Sequence, residues 1–176
     1  MAHCSNSCVF NRQFVPLRGR PDSPYLIVGE APGAKELQLG QPFVGPAGQL
    51  LSRYLVSAGI PEELCAFTNT TCCVDLTRTP AKPTPEDILA CRPRLQEEIN
   101  TSSAKLVIAL GATASAELLP GMRITGARGK FRRVRDKVVI ASYHPSAVLR
   151  GNSQYGELLL KDLITARRYV SGAILG

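Results

Sequence analysis

No apolar run in the sequence approaches the ~20 residues that a bilayer-spanning helix needs, so a helical membrane protein is excluded. The opening stretch, MAHCSNSC, has no apolar segment of the secretory type, and the expectation is a soluble, cytoplasmic protein. Internal repeats, low-complexity tracts and interdomain linkers are absent, which points to one domain over residues 1–176. Neither G-x-x-x-x-G-K-[ST] nor G-x-G-x-x-G occurs, so phosphate-loop and dinucleotide-binding chemistry lack their glycine turns. Histidine is scarce, with only His3 and His144. Cysteines are present, but not as tight C-x-x-C pairs.

What is present is a chain of 176 residues, 44% apolar, long enough for one substantial core. The formal net charge is +7. Much of the excess lies in RGKFRRVRDK (128–137), whose only acid is Asp136. Such a stretch suits a polyanion or, equally, a solvated basic hairpin. The six cysteines are Cys4, Cys8, Cys65, Cys72, Cys73 and Cys91. In a reducing compartment they favour metal or redox roles over disulfides.

Four short, nearly continuous apolar runs read as buried parallel strands: PYLIVGE, CAFTN, KLVIALG and KVVIASYHP. Helical patterns alternate with them. PAGQLLSRYLVSAG spaces Ala47, Leu50, Leu51, Tyr54 and Leu55 at helical intervals and stops at Gly59. TPEDILACRPRLQEEI begins with Thr84 as N-cap, Pro85 at the first position and Asp87 at the third, with Pro93 expected to kink it. GATASAELL gives a shorter helix, and YGELLLKDLITARRYV closes the chain with Leu159, Leu163, Ala166 and Val170 on one face. The alternation predicts an α/β domain with a mostly parallel sheet, and residues 74–83 read as a surface loop.

Ligands of such sheets bind beyond the carboxyl ends of the strands. The four exits carry Glu30-Ala31-Pro32-Gly33, Asn69, Gly111 and His144-Pro145-Ser146. Four polar or turn-forming exits in register suggest one pocket. The acids Glu30 and Glu36 would repel a phosphate there. Cys4 and Cys8, with three residues between them, and Cys73 and Cys91, flanking the proline-rich loop, could hold zinc or an iron–sulfur cluster; their spacing does not separate the two.

Taken together, GEAPG (29–33), G-x-PFVGPAG (40–48), FTN ending at Asn69, Cys73, TPEDILAC ending at Cys91, LG (110–111), RGK (128–130) and HPSAVLR (144–150) resemble the family 4, iron–sulfur uracil-DNA glycosylases. The resemblance implies a three-layer αβα fold with a central four-stranded parallel sheet. It implies flipping of uracil from single- or double-stranded DNA and hydrolysis of its N-glycosidic bond by a monomer associated with the nucleoid. Two readings stand beside it: a glycosylase of the same fold acting on another deaminated base, and a uracil-DNA binder with little turnover. Cys4, Cys8, Cys73 and Cys91 match the ligands of a [4Fe–4S] cluster, whereas Cys65 and Cys72 do not and read as core and loop residues. By resemblance Phe43 stacks on the base, Asn69 reads its edge, and the turn containing Ala31 and Gly33 holds the base edge or water. His144 stabilises the leaving anion, and Glu36 or Glu30 positions the water. Ser146, Val148 and Arg150, with Arg128 and Lys130, would contact DNA; Val148 stands at the position that wedges into the base stack.

Overall fold

Each of the four apolar runs is a strand, and their burial explains their composition. In the computed structural model, which describes residues 8–78 and 81–173, β1 (Tyr25–Gly29) is buried at all five positions. A short helix, α1 (Ala34–Leu39), and a longer one, α2 (Pro46–Ala58), follow. A single 3₁₀ turn at Glu62–Leu64 leads into β2 (Cys65–Asn69). Next come α3 (Pro85–Thr101), β3 (Leu106–Leu110), α4 (Gly111–Leu118) and the four-residue α5 (Ile124–Ala127). The strands β4 (Phe131–Val134) and β5 (Lys137–Ser142) form a hairpin, and α6 (Pro145–Leu149) and α7 (Ser153–Val170) complete the chain.

The sheet order is β2-β1-β3-β5-β4. The expected parallel strands β2, β1, β3 and β5 lie side by side. The expectation of four strands is corrected to five, because the basic stretch supplies β4, antiparallel to β5 at the sheet edge. Its sequence, FRRV, shows no continuous apolar run because an edge strand is only partly covered. Arg132 and Arg133 also discourage edge-to-edge pairing with another chain.

The sheet is covered on both faces. One core joins Ile27, Phe67, Ile108 and Ile140 to Leu51 and Leu55 of α2 and Leu159, Leu163 and Ala166 of α7. The other joins Leu26, Val28, Val107 and Val139 to Leu95 of α3 and Ala114 of α4. Alternate strand residues therefore serve opposite faces, as the two-residue period requires. In α2 the predicted Leu51 and Leu55 are buried with Gly48 and Ala58, while Ala47, Leu50 and Tyr54 are half-buried at the margin of the stripe. The predicted face of α7 is present, with Asp162 buried inside it. Thr84 and Asp87 form a reciprocal capping box at the start of α3, and the helix continues through Pro93.

Candidate active site

Strand β1 pairs with β2 on one side and β3 on the other. Chain connections depart in opposite directions from this point, which opens a crevice at the carboxyl end of the sheet. Thr113 at the start of α4 spans it, donating from Oγ1 to Glu30 Oε2 at 2.5 Å.

Gly29, the last residue of β1, forms the floor. A Cβ there would overlap Asn69 Oδ1 and come within 2.7 Å of Phe43 Cζ. The first glycine of GEAPG is thus needed less for a turn than for space, since it lets the Asn69 amide and the Phe43 ring meet over bare backbone. Phe43 is held at φ 57°, in the left-handed region that a bulky side chain rarely occupies. Its backbone is pinned against Gly48, where a Cβ would overlap the Phe43 carbonyl. Strain of this kind persists only where the surroundings over-determine it. The result is a ring 5.6 Å from that of Phe67 and 6.2 Å from that of His144.

His144 caps the N-terminus of α6. The backbone N–H of Ser146 donates to His144 Nδ1 at 3.1 Å, and Ser146 Oγ lies 2.9 Å from the same nitrogen. A neutral ring so engaged carries its proton on Nε2 and presents it as a donor. Burial pushes the His144 pKa below its ordinary 6.5, against the pull of the carboxylates Glu30 and Glu36, and Arg150 adds to the lowering. Gly111, at φ 89°, passes so close that a Cβ would stand 3.1 Å from His144 Cβ. Glu36 is nearly buried and accepts from Gly45 N at 2.7 Å. Its carboxylate also lies against Gly33, so it straps the GEAPG turn to the PFVGPAG segment. The Ala31 side chain packs beside Val15, Leu37 and Val74.

The structure therefore brings Glu30, Gly33, Glu36, Phe43, Asn69 and His144 around one crevice. The candidate DNA contacts divide. Lys130 and Arg150 are exposed, and Arg150 Nη1 reaches Ser146 Oγ at 3.3 Å. Arg128 is instead committed inward: its guanidinium donates to both oxygens of buried Asp162, at 2.6 and 3.1 Å, and to Leu158 O. Val148 packs toward Gly156 of α7, while Leu149 is 53% exposed and projects from the same helix.

Cys8, Cys72, Cys73 and Cys91 are buried together, flanked by Phe10 and Phe14. Cys4 lies outside the described residues. Cys8 and Cys73 are joined as a disulfide. Cys72, read from sequence as a loop residue, does lie in the loop after β2, where it is buried with its Sγ 3.5 Å from that of Cys91. Cys65 stays in the core as expected, where burial pushes its thiol pKa up to about 12. Among the described residues no three ligating groups are arranged around a common metal position. The chemistry of the pocket nevertheless fits a soft, thiolate-ligated centre: all its donors are sulfur, all are buried, and the Arg94 guanidinium lies close enough for its charge to interact with Cys72 and Cys91. Disulfide formation and shared ligation exclude one another, but both need Cys8 and Cys73 within reach.

Sequence reasoning missed Arg94, Thr113 and Asp162, and quoted Gly48 only as the end of a motif. Thr113 had a signal, standing just past the third strand exit. Arg94 and Asp162 had none, since each is defined by partners distant in sequence.

The uracil DNA glycosylase superfamily profile matches residues 16–165. The type-4 uracil-DNA glycosylase of Thermotoga maritima is 35% identical over 86% of this chain and 80% of its own length. The type-4 enzyme of Pyrobaculum aerophilum is 36% identical over 88% of this chain and 82% of its own, and that of Sulfurisphaera tokodaii is 32% identical over 95% and 82%. The crevice at the strand exits, the Phe43–Asn69–His144 grouping and these matches agree: the chain belongs to the uracil-DNA glycosylase superfamily.

Proposed function

We propose that this protein is a DNA repair glycosylase that flips uracil out of DNA and hydrolyses its N-glycosidic bond, leaving an abasic site. The observation that carries this reading is the meeting of Phe43, Asn69 and His144 over Gly29 and Gly111. The names of the type-4 relatives support it.

A base inside a duplex is out of reach, so it is extruded into the crevice, where the Phe43 ring offers a stacking surface. The Asn69 amide accepts from uracil N3–H and donates to O4. Cytosine presents the opposite pattern and would leave both groups unpaired in a buried site. As the bond from C1′ to N1 breaks, its electron pair leaves with the uracil and negative charge grows on O2. His144 Nε2–H donates to that oxygen, and its neutrality keeps it from binding a resident anion in competition. Glu30 or Glu36 orients the water, whose oxygen bonds to C1′ and whose proton passes to the carboxylate.

Cys4, Cys8, Cys73 and Cys91 would hold a [4Fe–4S] cluster, and its contribution is to tie the N-terminal segment, the loop after β2 and α3 into one body. DNA is the macromolecular partner, met by the exposed cations Lys130, Arg133 and Arg150.

The test is an oligonucleotide with one uracil, single-stranded or paired, followed by alkaline scission. Strand breakage at uracil and none at cytosine or thymine is expected. Iron-loaded protein that leaves the uracil strand intact refutes the proposal.

A further inference from the structure

Arg94 is 3% exposed, although arginine is rarely buried without a specific partner. It lies on α3 one turn beyond Cys91. Its Nη2 donates to the carbonyl oxygens of Asn69 at 2.6 Å and Thr70 at 3.2 Å. Its Nη1 donates to Thr68 Oγ1 at 3.0 Å and Glu98 Oε2 at 2.6 Å. Thr68 Oγ1 in turn donates to Glu98 Oε2 at 2.7 Å, closing the network.

This cluster sits where the sheet ends. β2 is an edge strand, so every second backbone group faces away from β1. At Phe67 the outward groups pair with the backbone of Arg18. Two residues on, the outward carbonyl of Asn69 has Arg94 in place of a neighbouring strand. A guanidinium can hold this carbonyl, the next one and a carboxylate at once, because its donors are fixed in one plane. A lysine ammonium cannot span them.

We propose that Arg94 is a positioning residue for base reading. By fixing the two peptide planes that follow Asn69, and the Thr68 hydroxyl just before it, Arg94 sets the direction of the Asn69 amide over Gly29, and it joins that amide to the helix carrying Cys91. The inference rests on the assignment of Asn69 as the group that reads uracil.

The experiment compares full-length Arg94→Lys and Arg94→Met with the parent. Two DNA duplexes are used, one with a non-cleavable 2′-fluoro-deoxyuridine and one with an abasic analogue at the same position. The ratio of the two affinities isolates base reading from backbone binding. Arg94→Lys retains the charge beside Glu98 and should fold, with a cooperative thermal transition and the parental iron content. Its preference for the uracil duplex should fall about tenfold, the size of one lost hydrogen bond at a buried edge. Arg94→Met should lose more, and abasic-site binding should be unchanged in both. A preference equal to the parent's in Arg94→Lys overturns the inference, as does an equal loss on both duplexes. Where Arg94→Met fails to fold, the Arg94→Lys ratio alone decides. Should the parent itself show no preference for the uracil duplex, the reading of Asn69 fails, and the failure is not one of Arg94.

Discussion

In the proposed reaction the His144 side chain works uncharged, and this fixes what its replacement and its titration should show. His144→Ala removes one donor to the departing O2, so single-turnover uracil release should slow by about 10²–10³-fold. Affinity for uracil-DNA should change little, because the missing interaction matters when the anion forms. Near-parental release would transfer the role to the backbone amides of the 31–33 turn. Because burial lowers the His144 pKa below 6.5, the rate should stay level as pH drops through that value and decline only lower. Stability follows the same sign: the contribution of the neutral ring is complete above the unfolded-state value and is lost as pH falls through the folded one. The glycines give a second residue-scale contrast. Gly29→Ala meets the ends of two side chains, Asn69 Oδ1 and Phe43 Cζ, which can shift. It should therefore cost little stability and much uracil cleavage. Gly48→Ala meets the backbone of Phe43, which cannot shift without moving the strained turn. It should destabilise by about 1–3 kcal/mol. Thermal melts alongside cleavage assays separate the two, and the reverse ranking would contradict this pocket geometry.

Among the elements, α3 carries the most distinct tasks. It brings Cys91 to the thiol pocket, Arg94 to the end of β2 and Leu95 to the core. Replacing both Cys73 and Cys91 by Ala should abolish bound iron and lower stability, since metal binding and folding are coupled. Full iron retention, measured by visible absorption and elemental analysis, would refute the ligand assignment. The parallel strands and the helices α2, α3 and α7 were legible because a buried strand and an amphipathic helix each print a period on the chain. The shorter α1, α5 and α6 were not, since four to six residues are too few to show a period. The edge strand β4 was hidden for a different reason: half-solvated, it can carry arginines, and FRRV looks like surface. The same logic divides the site. Asn69 and His144 could be read as strand exits, and Thr113 stands just past one, whereas Arg94 and Asp162 acquire their roles only from residues that the fold brings beside them.

For the whole molecule, the +7 charge makes attraction to DNA general, but the basic residues do not all share in it. Removing Lys130, Arg133 or Arg150 should weaken DNA binding and reduce the log–log salt slope by about 0.9 for each phosphate that is no longer neutralised. Arg128→Ala should behave otherwise, because it strands the Asp162 carboxylate in the core and costs about 3–5 kcal/mol. Burial already raises the Asp162 pKa, against the lowering effect of its bonds to Ser142 and Arg128. A raised folded pKa means that its share of stability is present below about 3.8 and disappears as pH rises through the folded value. The Arg128→Ala deficit should accordingly be largest near neutrality and shrink in acid, and a pH-independent deficit would show that the pair is not the cause. The order of the elements along the chain bears on how the protein is made. Cys8, Cys73 and Cys91 all precede β3, while β3, β5 and His144 come later in the chain. A protein synthesised from its N-terminus thus exposes its thiol-bearing segments to the cell's metal supply before the crevice at the strand exits can form. A nascent chain that has not reached β5 lacks His144, the residue proposed to stabilise the leaving base, so on that proposal the capacity to cut is deferred until the thiol-bearing segments have already left the ribosome.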